Sequence, residues 1–275
     1  MQDSQIRRMP TGITSLDPIL DGGIPVGSVI LLLGEIGAGH YEYVYSSLIN
    51  TLDRLEKIPP DTPYFPTKMQ YITFTRLESD VRHEIMQSFS QKGPVTNSGR
   101  IQFDDLSDLY FDRSIVPDSW YSHSDTLSRL QQRGDHANVF VKLSELFNQS
   151  ADGSLIIMDS LTEIATQCSY SIRWQDLAGF LRGVQRYAKK KDCTVYLLMS
   201  KGILPLEKER EIADIVDAVF LFRWEESTAS RRQRIMFFEK FRGVMPHLVE
   251  QDLVKFAVRI STTDGFEVSN IRMVI

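Results

Sequence analysis

A glycine-rich turn follows the first strongly apolar segment of this 275-residue chain. In "GEIGAGHY" (34–41), four residues separate Gly34 from Gly39, the glycine spacing of loops that bind phosphate groups. Such loops continue with a lysine that contacts the phosphates and a serine or threonine that binds Mg²⁺. Here His40 takes the lysine position and Tyr41 the hydroxyl position. The turn keeps the glycines that shape a phosphate site and lacks both side chains that would act in it.

The backbone N–H groups of such a turn, with the N-terminus of the helix that follows, supply most of the anion-binding geometry. An imidazole is mostly neutral at pH 7, although a bound phosphate would raise its pKa. The oxygen of Tyr41 lies a ring away from the backbone, so it replaces a small hydroxyl poorly. The pattern leaves ATP binding open and argues against Mg²⁺. The predicted nucleotide-binding residues are Gly34, Glu35, Ile36, Gly37, Ala38, Gly39, His40 and Tyr41.

A second chemical position is Asp159, which ends the apolar segment "GSLIIMDS" (153–160). A carboxylate at the end of a core strand is where nucleotide-binding folds hold Mg²⁺ through water. A helix cap formed together with Ser160 explains the same residue equally well. Asp159 is therefore a candidate metal residue, through water if Mg²⁺ binds, with the cap as the alternative.

Short apolar segments alternate with helical periodicity over most of the chain, which predicts an α/β fold. We expect a mostly parallel sheet with helices on both faces and an antiparallel extension by the last strands. One domain (1–275) is predicted, with a proline-broken loop at 58–66 and a polar lid or surface excursion at 107–136. The second helix is expected to begin with Ser79 or Asp80 as its N-cap. Predicted strands lie at 28–34, 69–74, 100–106, 153–160, 193–200, 218–224, 231–241 and 252–260, and predicted helices at about 40–55, 136–149 and 174–191.

The charge and composition of the chain argue against several classes of function. The net charge of −5 argues against general nucleic-acid or membrane-surface binding, although "RRQR" (231–234) forms a local basic cluster. No apolar segment approaches the roughly 20 residues that span a bilayer, and the polar start lacks signal-peptide order. Cys168 and Cys193 have no metal-ligand spacing, so we expect buried free thiols, no metal site built from protein ligands, and a cytoplasmic protein.

The segment "RRMPTGITSLDPILDGGIPVGSVILLLGEIGAG" (7–39) resembles the opening of RecA-superfamily ATPases of the KaiC-like group. That group shows a TGI-x-x-LD-x-x-L-x-GGIP-x-GS signature, which residues 11–28 match almost without gaps. "QYITF", "SLIIMDSLTEI", "EKFRG" and "TDGFEV" are similar to later core strands of the family, so the resemblance covers essentially the whole chain. It implies a RecA-like P-loop fold.

The resemblance implies roles for three further residues. Lys240 and Arg242 match basic residues that, in ring-forming members, reach a neighbouring subunit's γ-phosphate; ordinary cross-strand charges are the alternative. Ser200, at the end of "CTVYLLMS" (193–200), occupies the place of a polar γ-phosphate sensor, and a helix cap or turn explains it as well.

The chain departs from the family at its catalytic base. Members usually follow the second core strand with two glutamates, and this chain has Thr75 and Arg76 there. Glu78 is the nearest acid and the candidate catalytic residue, although it is out of register. Lysine, hydroxyl and base are altered together, which favours lost hydrolysis. In this respect the chain is similar to relatives described as inactivated signal-transduction ATPases.

Three functional hypotheses follow. The first is a regulatory module with little hydrolysis that acts through a signalling partner, through self-association, or by assembly with a related ATPase. The second is a working ring-forming ATPase in which His40 supplies charge, Glu78 is the base, and Lys240 and Arg242 act in trans. The third is a recombination-type ATPase that binds single-stranded DNA, which the acidic composition disfavours.

Overall fold

A computed structural model of the chain describes residues 7–57, 66, 68–89, 99–111, 114–121, 139–168, 172–226 and 232–271. The strands are β1 Arg8–Met9, β2 Ile24–Pro25, β3 Val29–Gly34, β4 Met69–Thr73, β5 Ile101–Asp105, β6 Leu155–Asp159, β7 Thr194–Ser200, β8 Ala218–Glu226, β9 Arg232–Phe241, β10 Lys255–Ser261 and β11 Gly265–Asn270. The helices are α1 His40–Lys57, α2 Glu78–Ser88, α3 Ser107–Phe111, α4 Val139–Gln149, α5 Leu161–Gln167, α6 Trp174–Lys191, α7 Leu206–Ile215 and α8 Met245–Glu250, with a 3₁₀ turn at Asp118–Trp120.

One nine-stranded sheet organises the fold, in the order β11-β10-β9-β8-β3-β7-β6-β4-β5. The neighbours from β8 to β5 are parallel, and β8 to β11 pair antiparallel. The predicted α/β class, with a mostly parallel centre and antiparallel C-terminal strands, is confirmed. β1 and β2 form a separate antiparallel pair.

Helices cover both faces of the sheet, and each face has its own apolar core. Side chains of α1, α2 and α8 pack against one face. Side chains of α4, α5, α6 and α7 pack against the other. β3 is buried on both faces, which explains its uninterrupted apolar sequence.

The second helix starts earlier than its sequence suggests. The prediction of Ser79 or Asp80 as N-cap is wrong, because α2 begins at Glu78 and follows Leu77, whose side chain makes no capping bond. The Thr73 hydroxyl instead closes the turn before the helix, accepting from the Arg76 N–H at 3.1 Å and donating to the Arg76 carbonyl at 3.0 Å. The acidic residues lie inside the first helical turn, where they face the positive end of the helix dipole.

Several predicted features lie partly or wholly outside the described residues. These include the loop at 58–66 except for residue 66, and the excursion at 107–136 apart from α3 and the stretch 114–121. The short helices α7 and α8 and the β1–β2 pair were not predicted. Cys193 is buried and Cys168 is partly exposed, and both are free thiols. Within the described ranges no helix is long and apolar enough to cross a membrane.

A buried aspartate fixes the start of β3, the strand that leads into the glycine turn. Asp217 accepts hydrogen bonds from the Val29 N–H at 3.1 Å, from the Gln185 amide at 2.9 Å and from the Lys189 ammonium at 2.7 Å. Asp217 thereby joins β3 to α6 and to the entrance of β8.

Removing this carboxylate should destabilise the protein. We expect Asp217→Ala to lower the free energy of unfolding by about 1–3 kcal/mol, because a buried N–H and an ammonium lose their acceptor. Urea denaturation followed by circular dichroism measures this. The matched control is Asp53→Ala, which breaks the exposed helical pair with Lys57 and should cost about 0.5 kcal/mol or less. Equal losses in the two variants would contradict the anchoring role.

Candidate functional site

The candidate site lies where the parallel strands β3, β4, β6 and β7 end at one edge of the sheet. Gly34 pairs with Ser200 across β3 and β7, and Thr73 pairs with Asp159 across β4 and β6. The parallel register therefore brings the glycine turn, the strand-ending aspartate and the strand-ending serine to the same edge. Open α/β sheets bind their ligands at this edge.

The glycine loop (residues 34–41) folds as a tight turn that enters α1. Gly37 and Gly39 have positive φ angles of 71° and 109°, a conformation that favours glycine. The Ala38 N–H donates to the Glu35 carbonyl at 3.0 Å, closing the loop on itself. His40 is the first residue of the 18-residue helix α1, so the positive end of a long helix dipole lies at the loop.

The β8–β9 hairpin holds this loop from outside. The Trp224 backbone N–H donates to the Glu35 carboxylate at 3.0 Å, and its indole N–H donates to the Ile36 carbonyl at 3.1 Å. Arg234 donates to the Gly37 carbonyl at 2.9 Å. The guanidinium carbons of Arg232 and Arg234 lie 4.6 and 4.5 Å from the centre of the Trp224 ring. Two arginines of the 231–234 cluster therefore pack on a tryptophan that restrains the loop.

His40 occupies the interior of the loop. Its side chain is buried, at 4% exposure, and both ring nitrogens lack a hydrogen-bond partner among the described residues. Burial lowers the pKa of His40 to about 4. A Cβ at Gly34 would overlap the imidazole, so this glycine makes room for the ring. At neutral pH the residue in the lysine position is uncharged.

The Asp159 carboxylate is paired within the chain. It is 2% exposed, and its Oδ2 accepts from the Tyr71 hydroxyl at 2.5 Å and from Arg76 at 3.2 Å. Ser160, rather than Asp159, caps α5: its hydroxyl accepts from the Thr162 N–H at 3.2 Å. The capping alternative for Asp159 is therefore wrong.

Arg76 is the cation at the centre of the site. Besides Asp159, it donates to the Tyr45 hydroxyl at 2.7 Å and forms an ion pair with Glu84 of α2. Its guanidinium carbon lies 5.5 Å from the centre of the Tyr41 ring. From the sequence, Arg76 is recognised only as a residue at a position where a glutamate is expected. Its contact with Asp159 is not predicted. The available signal was its place just after β4, which neighbours β6 in this kind of sheet.

The electrostatics of the cluster follow from burial. Burial raises the pKa of Asp159, and the bonds from Tyr71 and Arg76 oppose that rise. Burial raises the pKa of Tyr41, and the charge of Asp159 adds to it. Tyr41 is therefore a neutral phenol at pH 7, packed against a guanidinium at the position where phosphate-binding loops have a small hydroxyl.

These residues do not fit Mg²⁺. Magnesium needs carboxylate oxygens and waters in octahedral geometry, whereas the Asp159 carboxylate already accepts from a phenol and a guanidinium. No described part of the chain gathers three or more carboxylate, histidine or cysteine side chains that could hold a metal. The fit for a nucleotide is partial, because the helix dipole and glycine turn favour an anion while the buried imidazole brings no charge.

The remaining predicted residues have different surroundings. Glu78 is exposed and forms an ion pair with Arg82, 2.7 Å away on its own helix. Ser200 pairs with Gly34 across β7 and β3, so it borders the glycine loop. Its backbone N–H donates to the Thr162 hydroxyl of α5 at 2.9 Å. Ser200 is thus the one of these that the fold brings beside the loop.

Lys240 and Arg242 lie near the start of β8, at the sheet edge opposite the glycine loop of their own chain. Lys240 donates to the Ala213 carbonyl at 2.8 Å and the Asp214 carbonyl at 2.6 Å, and Arg242 donates to Asp214 at 2.8 Å. Both side chains therefore neutralise the C-terminal end of α7. Their role toward a neighbouring subunit stays a prediction.

Fold and site together define an α/β protein with a large, mostly parallel central sheet and a closed, charge-paired cluster at its strand ends. No model of a known protein family matches this sequence.

The Arg76–Asp159 contact should appear as an energetic coupling. We expect Arg76→Met alone to lower the unfolding free energy by about 2–4 kcal/mol, because it leaves a buried carboxylate without its counter-ion. In a double-mutant cycle with Asp159→Asn, the two losses should fall short of additivity by about 1–3 kcal/mol. The comparison cycle uses Arg82→Met and Glu78→Gln, an i,i+4 pair on α2 in which Glu78 is exposed, and this pair should couple by about 0.5 kcal/mol or less. Additivity at Arg76 and Asp159 would disprove the pairing.

The buried imidazole should make stability depend on pH. The folded pKa of His40 is about 4 and its ordinary value is 6.5. The unfolded chain therefore takes up a proton first, and stability present above pH 6.5 is lost as the pH falls toward 4. Relative to His40→Leu, the wild type should lose about 3 kcal/mol of unfolding free energy over this range.

Chemical denaturation at a series of pH values measures this difference. The matched control is His83→Leu, which makes the same substitution at an exposed histidine of α2. Parallel pH profiles for the wild type and His40→Leu would show that His40 is not buried in neutral form.

Proposed function

We propose that this chain is a KaiC-like RecA-fold regulatory protein whose nucleotide site is degenerate. It binds ATP weakly or not at all, hydrolyses little, and acts through protein partners in signal transduction. One observation carries the proposal: Arg76 pairs with Asp159, the carboxylate that would hold the metal. Arg76, a cation of the chain itself, occupies the position where a metal-dependent ATPase binds an exchangeable metal ion.

Loss of hydrolysis is supported at each catalytic position. His40 is buried and neutral, so it gives a γ-phosphate no positive charge. Tyr41 packs beside Arg76 and offers no small hydroxyl to a metal. Glu78 is exposed and paired with Arg82, away from the cluster that surrounds Asp159. Each departure weakens a different part of phosphoryl transfer.

A role through partners is supported by apolar side chains at the same edge of the sheet. Ile36, at the crest of the glycine loop, is 85% exposed, and Ile203, just after β7, is 53% exposed. Exposed apolar groups around a site that does no chemistry favour contact with another protein face. A second copy of this chain or a related ATPase is the partner that the proposal names for this edge.

The proposal is tested by calorimetric titration of ATP with and without Mg²⁺, followed by a hydrolysis assay on the same sample. We expect weak or absent binding that Mg²⁺ does not strengthen, and no turnover above the rate without protein. The variant His40→Lys/Tyr41→Thr/Arg76→Glu restores the three family side chains. Relative to the wild type, this variant should gain magnesium-dependent binding, because the loop regains a charge and Asp159 loses its internal cation.

Magnesium-dependent turnover by the wild type that disappears in Asp159→Asn would overturn the proposal and favour the working ATPase. The Asp53→Ala variant provides the comparison, since it removes an exposed carboxylate on α1 that forms an ion pair with Lys57. Turnover retained in Asp53→Ala and lost in Asp159→Asn would place the activity at the strand-ending carboxylate.

A further inference from the structure

A groove of about 290 Å³ lies between α4 and α6 on the second face of the sheet. Phe147 and Asn148 of α4 line one side, and Phe180 and Tyr187 of α6 line the other. The Phe147 ring centre lies 6.4 Å from that of Phe180 and 5.5 Å from that of Tyr187. Its walls are therefore aromatic, and the helices that form them belong to the core of this face.

Two glycines leave the α6 side of this groove without side chains at their positions. Gly179 and Gly183 are exposed and one helical turn apart, and Gly183 lines the groove itself. A Cβ built at either position meets no atom of the described residues within 4 Å. Packing among the described residues therefore does not require glycine there, and glycine weakens a helix. What the missing side chains provide is room for another backbone to approach α6 closely.

A row of cations borders the same face of α6. Arg182, Arg186 and Lys190 follow one another at four-residue intervals, so they lie in one stripe along the helix. All three are exposed, and none forms a hydrogen bond or ion pair with another residue in the described part of the chain. Their neighbours Lys189 and Lys191 are paired with Asp217 and Asp152. Among the residues that the structure describes, the stripe is an uncompensated basic rim, on a protein of net charge −5.

We propose that this groove binds an amphipathic helix of a partner protein. The apolar stripe of that helix lies over Gly183 and packs against the exposed parts of Phe180 and Tyr187. Its acidic flank faces Arg182, Arg186 and Lys190. This is recognition of a helix in a groove, with charges that fix its orientation. The inference rests on the proposed function in that the protein acts through partners, but it uses no residue of the glycine loop.

The shape of the surface favours a protein helix over other anionic partners. A nucleic acid would be bound by cations that follow its phosphates, and it would leave an apolar cleft unfilled. A membrane would be contacted by protruding apolar side chains rather than by a recess floored by glycine. A concave apolar groove with one charged rim matches a helix that carries leucines on one stripe and glutamates on the next.

The test measures fluorescence anisotropy of a labelled synthetic peptide at physiological ionic strength. The probe is an alanine-based helix with leucines on one stripe and glutamates at i, i+4 and i+8 on the adjacent stripe. The control peptide has the same composition in shuffled order. We expect the striped peptide to bind at least about tenfold more tightly than the shuffled one, because only it fills the groove and the rim together.

Two variants locate the binding. Arg182→Glu/Arg186→Glu/Lys190→Glu should weaken the striped peptide at least about tenfold. The matched control Arg100→Glu/Arg210→Glu/Arg259→Glu makes the same charge change at exposed positions elsewhere and should leave binding unchanged. Gly183→Leu should fill the recess and abolish binding without lowering the melting temperature, since leucine favours a helix more than glycine does. This variant separates a blocked groove from a misfolded chain.

Equal affinity for both peptides, equal loss in the control variant, or full binding by Gly183→Leu would each overturn the proposal. So would labelled single-stranded DNA that binds through the same cations while the peptide does not, or self-association that the charge reversal abolishes. The outcome is separable from that of the proposed function. ATP turnover would overturn the pseudoenzyme account and leave peptide binding unaffected, whereas absent peptide binding would leave the nucleotide result unchanged.

Discussion

A buried carboxylate at a strand end needs a positive charge, and in this protein Arg76 supplies it from the neighbouring strand end. Asp159 is almost completely enclosed, and an isolated charge there would be far too costly to keep. Many α/β proteins solve the same problem with a metal ion at this edge. Here the Arg76 guanidinium, which is part of the chain, neutralises the carboxylate. The Glu84 carboxylate and the Tyr45 hydroxyl hold the guanidinium in place. Through these two side chains Arg76 also contacts α1 and α2.

The glycine loop, on the other side of the site, also avoids an unpaired buried charge. A lysine in the loop would need an anion to justify its burial, but a neutral imidazole can be buried without one at moderate cost. Gly34 provides the space for the ring, and Phe222 lies 6.2 Å from it between ring centres. Trp224 and Arg234 then fix the loop carbonyls from outside. Contacts within the chain therefore restrain the loop and pair the charges of the cluster, while both ring nitrogens of His40 lack a partner among the described residues.

Much of this architecture follows from local sequence. The sequence predicts the apolar strands, the alternation of strands and helices, and the helix after Gly39. These elements can be predicted because buried parallel strands are continuous apolar segments and glycines end them. The N-cap of α2 was misread, since a threonine several residues earlier closes that turn. The contact of Arg76 with Asp159 could not be read locally, because it joins residues that only the β4–β6 register brings together. The same holds for His40, whose burial depends on β8.

Arg76 forms an ion pair with Asp159, and we propose that no divalent metal binds this carboxylate. The most direct test is electron paramagnetic resonance of Mn²⁺, used in place of Mg²⁺, titrated with the protein in the presence and absence of ATP. We expect that adding the protein leaves the Mn²⁺ signal as it is in buffer or with ATP alone. A protein-dependent loss of free Mn²⁺ signal that Asp159→Asn abolishes would contradict it.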